Sequence, residues 1–353
     1  MGKMEDLSLA LCPVAPPRVL DKTYTEAEFK TLIDVLRRNG PWDLIIKHHF
    51  SSVEELASSV GFNSGGNLSL NSFVTQAFRG FLADHGICHY EELHDIFYNK
   101  KFMAHAREYW GGAKYAQPYM MLFNLQAPSH SFDRGHLDSP GFRGMWGLNT
   151  PIWLLSAMAR SGLFSRWMLK TAQVIAWYYD SDVDGGFSYW PDGPLGAPRR
   201  LAAPMWGRGV VVQNELNYHR GEASGPKALR DLPAGFTFDS TIAADPESSD
   251  GWVLRTGDQV LRKVAHKDMR YLFHWSCEVF DDMSDMKRRM DHLDDISPEQ
   301  AIGMLVDDMR RRGVVFETPS DPMKDLAFID LVGRTYFISP ARYPAEAPPD
   351  IPA

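Results

Sequence analysis

Three stretches rich in β-branched and aromatic residues limit what this chain of 353 residues can become. They are 173–180 (Gln-Val-Ile-Ala-Trp-Tyr-Tyr-Asp), 208–219 (Arg-Gly-Val-Val-Val-Gln-Asn-Glu-Leu-Asn-Tyr-His) and 270–280 (Arg-Tyr-Leu-Phe-His-Trp-Ser-Cys-Glu-Val-Phe). Side chains of this kind pack well on a pleated surface and are crowded in a helix. Each stretch therefore predicts a strand. Further strands are expected at 119–125, at 187–190 as the second arm of a hairpin turned by Gly185-Gly186, and at 252–254 and 259–264 about Gly257. The middle of the chain, 116–283, reads as one β-rich core, interrupted by a Gly-, Pro- and Ser-containing insertion at 221–268.

Helical signals flank this core. Thr25 and Glu28 form a capping-box pattern ahead of Phe29, Leu32, Ile33, Val35 and Leu36, which recur at helical spacing. Ser52 and Glu55 repeat the signal before a second helix at 53–60, followed by a loop at 61–71 and helices near 72–84 and 90–109. Residues 23–115 are thus expected to be a helical buttress, and 1–22 a loose arm. Residues 151–163 fit a strand or a short helix equally. Ser297 and Gln300 open a helix that ends near Arg312; the rest of 284–343 is expected to cover the mouth of the core, and 344–353 to be a mobile tail. The expected class is α+β, with a barrel or jelly-roll core between N- and C-terminal helices.

A net charge of −8 argues against a nucleic-acid or anionic-membrane surface. The three cysteines, Cys12, Cys88 and Cys277, are too few and too far apart for a disulfide framework or a CxxC metal site, which fits a reducing, cytoplasmic setting. Residues 1–13 lack the basic start and apolar centre of a signal peptide, and no run approaches the roughly 18 apolar residues of a membrane span. A small molecule is the expected partner; the oligomeric state is not legible.

Within the core, His136 and Asp138 stand two apart in Asp-Arg-Gly-His-Leu-Asp-Ser-Pro. On a strand both leave the same face while Leu137 points away. His219 ends the 208–219 run. Two imidazoles and one carboxylate form a facial set that suits non-heme Fe(II), with Zn also possible, and leaves three coordination positions open. Each residue also has a plainer reading: His136 as part of a polar turn, His219 as a strand end bonded to Glu222. The signatures HExxH, GxSxG and GxxxxGK[ST] are absent.

His136-x-Asp138, His219 and an arginine on the following strong strand resemble the Fe(II)/2-oxoglutarate-dependent oxygenase superfamily, over about residues 115–280. The resemblance implies a double-stranded β-helix (jelly-roll, cupin-like) and an oxidoreductase of the dioxygenase type. It would use Fe(II), 2-oxoglutarate and O2, with His136, Asp138 and His219 as metal ligands. An arginine would bind the distal carboxylate of 2-oxoglutarate. Arg270, at the head of 270–280, is favoured for its planar, bidentate fork. Arg230, 11 residues after His219, is the rival. Arg262 and Arg220 are lesser candidates with a solvated role expected.

Asn124, Gln173 and Asn214 would orient cosubstrate or substrate, or serve only as strand amides. Arg143 is a candidate for an anionic substrate, and Arg334, Phe337 and Ile338 for a covering segment. The implied reaction is hydroxylation, desaturation or oxidative cyclisation at an unactivated C–H bond, in secondary metabolite biosynthesis. An amino acid such as valine, with aziridine formation, is one candidate substrate. Two other readings stay open: a cupin-type metalloenzyme without 2-oxoglutarate, and a ligand-binding barrel. His48-His49 diverge on either regular element and are not expected to bind metal. Cys277 is expected in the core.

Overall fold

The computed structural model describes residues 3–50, 74–131, 133–147, 149–181 and 183–342; the expected helix at 53–60, the loop at 61–71 and the tail at 344–353 lie outside these. Fourteen strands are described: β1 (Arg18–Leu20), β2 (Trp42–Leu44), β3 (Ala77–Asp84), β4 (Ile87–Cys88), β5 (Tyr115–Gln126), β6 (Thr171–Tyr178), β7 (Phe187–Trp190), β8 (Arg199–Leu201), β9 (Arg208–Val212), β10 (Tyr218–Gly221), β11 (Thr241–Ala244), β12 (Trp252–Thr256), β13 (Gln259–Val264) and β14 (Arg270–Phe280).

Eleven form a large sheet in the order β1-β9-β6-β14-β5-β3-β2-β11-β12-β13, with β4 on β3; β10-β7-β8 form a small one. The pairs between named strands are antiparallel. Isolated bridges Ser129↔Ser224 and His136↔His219 attach 129–136 to the free side of β10. From β5 onward the chain alternates between sheets: β5 large, 129–136 small, β6 large, β7 and β8 small, β9 large, β10 small, β14 large.

The long strand β14 lies between β5 and β6, and its register sets one inward row after another. Arg79, Asn124, Leu272, Trp177 and Arg208 are mutual neighbours across the sheet, as are Phe81, Leu122, His274, Ile175 and Val210. Ile175, Trp177, Val210 and Val212 of this face pack against Phe187, Tyr189 and Leu201 of the small sheet. The Trp177 and Phe187 ring centroids are 4.8 Å apart. The opposite face, through Phe273 and Trp275, meets Phe29 and Phe102 on helices Glu26–Asn39 and Lys100–Tyr109. Every residue of β6 is buried, which fits a strand covered on both faces. Cys277 is buried in this helix-side core, and the three cysteines are free.

Several expectations need correction. Residues 3–10 are a helix and 18–20 pair with β9, so the described part of the expected arm at 1–22 is not loose. Leu7 and Leu11, four apart, bury themselves against Leu154 and Met158, a pattern too short to stand out in the sequence. The 23–115 region is not all helical. The capped helix at 26–39 forms, but 77–84 is β3, because pairing with β5 outweighs local helical spacing. The expected helix at 90–109 breaks at Asn99, whose side chain accepts from the Lys101 and Phe102 amides and starts a new helix. The run 208–219 is two strands in different sheets, split by a turn in which Asn217 N donates to Gln213 O. The Gly185-Gly186 turn carries the chain between sheets and makes no β6–β7 hairpin. The 221–268 insertion supplies β11–β13, which widen the large sheet. Residues 152–161 are helical.

Gly80 in β3 has a packing reason. A Cβ there would lie 2.6 Å from both the Phe123 and Trp42 rings, which meet edge to face at 4.8 Å. Gly80→Ala is expected to cost about 1–3 kcal/mol through overpacking. A denaturant midpoint equal to wild type would show that the rings move aside freely.

Candidate metal centre

His136 and His219 face each other as a reciprocal main-chain pair. His136 N donates to His219 O at 2.9 Å, and His219 N donates to His136 O at 3.0 Å. Directly opposed residues on antiparallel strands point to the same face, so the two imidazoles converge, with ring centroids 4.4 Å apart. Asp138 N donates to Asn214 O at 3.1 Å, which holds the carboxylate on the same side. Gly135 allows the approach: its φ is +113°, and a Cβ would strike Tyr218 and Pro340.

Asp138 Oδ1 lies 3.6 Å from His219 Nε2 and 4.0 Å from His136 Nε2. One ligand atom from each residue falls within 4.8 Å of the others, a spacing that suits one ion with bonds of about 2.1 Å. The outer nitrogens are oriented. His136 Nδ1 donates to Asp133 Oδ2 at 2.5 Å, and His219 Nδ1 donates to the Asn217 carbonyl at 2.9 Å. Both Nε2 atoms are thereby turned to the common centre, the outer-shell arrangement that supports metal-bound histidine. Asp138 Oδ2 is buried without a hydrogen-bond partner. An orphaned carboxylate oxygen is costly, and a cation beside it removes the cost. The donor set and this orphan fit Fe(II).

The charges agree. Burial would lower the His136 pKa, but Asp133 and then Asp138 outweigh it and raise it to about 9 in the metal-free chain. Burial would raise the Asp138 pKa, but His219, His274 and His136 hold it far below the usual carboxylate range.

Arg270 occupies the inward face two residues from Leu272 and four from His274. It is buried; Nη1 donates to Gln126 Oε1 and Nη2 to Gly186 O, both at 3.1 Å. Trp177 lies under its guanidinium at 5.9 Å, and Nε has no partner. A Cβ on Gly221, two residues past His219 on the same face of β10, would lie 3.4 Å from Arg270 Nη1. The fork therefore lies beside the strand that carries His219. Burial lowers the Arg270 pKa to about 10, so it stays charged at neutral pH.

The rival arginines are committed elsewhere. Arg230 pairs with Asp184 at 2.5 Å and donates to the Gly225 carbonyl. Arg262 holds Gln76 and the Leu229 and Asp231 carbonyls. Arg220 is fully buried, not solvated, because its side chain leaves β10 on the face opposite His219. Gln173 accepts from Asn214 N at 2.8 Å and ties β6 to the turn before His219; Asn124 accepts from Arg79 Nε at 2.9 Å. Arg143 is not at the centre: it pairs with Asp294 at 2.6 Å. Arg334 pairs with Asp330 on its own helix, and Phe337 is 61% exposed. Ile338 is buried behind the small sheet, where its carbonyl accepts from the Tyr218 hydroxyl at 2.6 Å. The 334–338 segment therefore covers the back of β10, because adjacent Tyr218 and His219 point to opposite faces.

Sequence reasoning missed four residues. His274 shares the Arg270 face, and that alternation was its signal; it is buried, its Nε2 has no partner, and burial lowers its pKa to about 4. Arg79 and His49 are joined through Nη1 and Nε2 at 3.0 Å, and no local pattern announced them. Glu215 is buried, and burial followed by the charge of Asp138 raises its pKa to about 8.

Two predictions follow from these shifts. Metal must displace the proton on His136 Nε2, so Fe(II) uptake at pH 7 should release a proton, and affinity should rise with pH until about 9. Calorimetry in buffers of different ionisation heat reads both, and affinity flat from pH 7 to 9 would contradict the assignment. Glu215 has its folded pKa raised, so its stability contribution is present below about pH 4.5 and lost as pH rises through about 8. Glu215→Gln removes that loss and should stabilise the chain at pH 7 by about 1–3 kcal/mol, with a gain that grows from pH 5 to 8 in denaturant melts.

No protein-family model and no curated protein matches the chain. Among solved structures, it is similar to a 2OG-Fe(II) oxygenase family oxidoreductase from Burkholderia pseudomallei, at 12% identity and a TM-score of 0.38 over 79% of this chain and 94% of that one. It is similar to the non-heme alpha ketoglutarate dependent carbocyclase SnoK from nogalamycin biosynthesis, at 13% identity and a TM-score of 0.40 over 83% of this chain and 90% of that one. A third is HygX from Streptomyces hygroscopicus, solved with nickel, 2-oxoglutarate and hygromycin B, at 9% identity and a TM-score of 0.34 over 75% and 83%. These likenesses are distant, and the reading of the centre rests on its own residues.

Proposed function

We infer that this chain is a non-heme Fe(II)- and 2-oxoglutarate-dependent oxygenase acting on a C–H bond of a small molecule. The observation that carries the reading is the convergence of His136 Nε2, His219 Nε2 and the Asp138 carboxylate, with Asp138 Oδ2 left without a partner. The alternation of strands between two sheets supports a double-stranded β-helix as the frame.

His136, Asp138 and His219 would hold Fe(II) on one face and leave the opposite positions open. Iron with 2-oxoglutarate and O2 supplies the oxidising power for C–H cleavage. Arg270 would pair with the distal carboxylate of 2-oxoglutarate through its buried fork, braced by Gln126 and stacked on Trp177. Trp177 and Phe187 wall this end and exclude water, which limits side reactions at an oxidising centre. Asp133 and the Asn217 carbonyl keep the imidazoles in the ligating tautomer. Retention of the carboxylate at Asp138 favours hydroxylation, desaturation or ring closure over halogenation. The proposed substrate is a small molecule of secondary metabolism, with an amino acid such as valine and aziridine formation among the candidates. Among the described residues, no helix is long and apolar enough to cross a membrane.

Anaerobic addition of Fe(II) and 2-oxoglutarate should give the weak visible absorption of a 2-oxoglutarate chelate. His136→Ala should abolish it. Arg270→Ala should weaken 2-oxoglutarate binding by about 10- to 100-fold, the loss of a charge-assisted hydrogen bond, while Arg230→Ala leaves it near wild type. Bound iron without the absorption would favour a metalloenzyme independent of 2-oxoglutarate, and no bound metal would favour a ligand-binding barrel.

A further inference from the structure

Arg79 is a second guanidinium at this centre, and nothing assigned above uses it. It stands on β3, opposite Asn124, in the inward-facing row that also contains Leu272 and Trp177. Two residues along β3, Phe81 stands in the row of Leu122 and His274, so Arg79 shares its inward face with both His274 and Arg270. Asn124 Oδ1 accepts from Nε at 2.9 Å, and His49 Nε2 lies 3.0 Å from Nη1. His48 Nε2 lies 3.2 Å from the Arg79 carbonyl and anchors the same strand. Among the described residues no carboxylate pairs with this guanidinium.

A poorly solvated guanidinium needs a negative partner, and neutral acceptors satisfy its N–H groups without balancing its charge. Asp138 is the negative charge nearest in effect, and in a metal-loaded centre that charge is directed to the ion. The neighbouring His274 is 7% exposed, and its Nε2 has no partner, so the same wall also offers an unused polar atom. A neutral apolar substrate would leave both uncompensated. A planar carboxylate fits the fork that Asn124 and His49 hold in place.

We propose that Arg79 is the substrate-binding arginine of this centre and that the substrate is a small organic acid, its carboxylate on Arg79 and its reacting C–H bond toward His136, Asp138 and His219. This rests on the oxygenase reading above. Arg270 and Arg79 then divide two carboxylates between them, the cosubstrate's on β14 and the substrate's on β3. The division gives Arg79 and Arg270 separate roles in one site.

Calorimetry on the full-length chain loaded with Zn(II), which does not turn over, tests this directly. The first titration uses 2-oxoglutarate. The second, with 2-oxoglutarate present, uses a panel of amino, hydroxy and aliphatic acids together with the matching primary amides. Acids are expected to bind wild type in preference to their amides. Arg79→Gln should weaken the acids about 10- to 100-fold and leave the amides and 2-oxoglutarate unchanged; Arg79→Lys should restore part of the loss. Equal binding of acid and amide to wild type would overturn the proposal, as would no binding by any acid in the panel. Loss of 2-oxoglutarate binding in Arg79→Gln, with thermal stability intact, would make Arg79 the cosubstrate's partner and overturn it too. Failure of wild type to bind 2-oxoglutarate would sink the oxygenase reading; Arg79-dependent discrimination of acid from amide, measured without 2-oxoglutarate, is a separate readout.

Discussion

The reciprocal pair of main-chain hydrogen bonds between His136 and His219 is the constraint on which the centre depends. It joins residues far apart in the chain and fixes them directly opposite each other. Once they are opposed, strand geometry turns both imidazoles to one face, and Asp138, two residues on, follows them. Each outer nitrogen is then bonded by a local acceptor, Asp133 for one ring and the Asn217 carbonyl for the other. The ligating atoms are thus aimed by backbone pairing first and by short-range polar contacts second. A site built this way on sheet scaffolding is stiffer than one built on loops.

The rest of the architecture supports that pair. The strands β5, β14 and β6 form a continuous register that presents Arg270, Leu272 and His274 to the small sheet on one face and Phe273 and Trp275 to the helices on the other. The two faces do different work. The helix-side core is aromatic, with Trp275 Nε1 donating to Phe97 O at 2.7 Å and the Tyr24 hydroxyl left without a partner. On the inward side, Asp138 Oδ2, Arg270 Nε and His274 Nε2 have no partner, and Glu215 Oε2 has none in the turn before β10. Each such group lowers stability unless a ligand meets it. Of the buried polar atoms without partners, Asp138 Oδ2, Arg270 Nε and His274 Nε2 are those that a ligand at this centre would meet.

Legibility in the sequence followed the range of the interactions involved. The alternation that places His136 with Asp138, and Arg270 with His274, is local and was visible. The capping box at Thr25 and Glu28 was visible for the same reason. The segment around Gly80 has helical spacing, and β3 owes its state to pairing with β5, not to its own residues. The run 208–219 looked continuous because composition does not record that Val212 and Tyr218 belong to different sheets. Arg143, Arg334 and Phe337 looked available because their partners, Asp294 and Asp330, and their side of the fold, were invisible along the chain.

The amino-acid order by itself determined the ligand types, their two-residue spacing, and the row of inward residues on β14, since covalent geometry alternates side chains along any strand. Only the tertiary structure decided which arginine faces the centre, since Arg230 and Arg270 differ in neighbours and not in chemistry. It also decided that Arg79 meets His49, and that nearby carboxylates raise the His136 pKa while burial lowers that of His274. Those properties come from desolvation and from charges brought close by folding, which act through space and have no counterpart in the linear sequence.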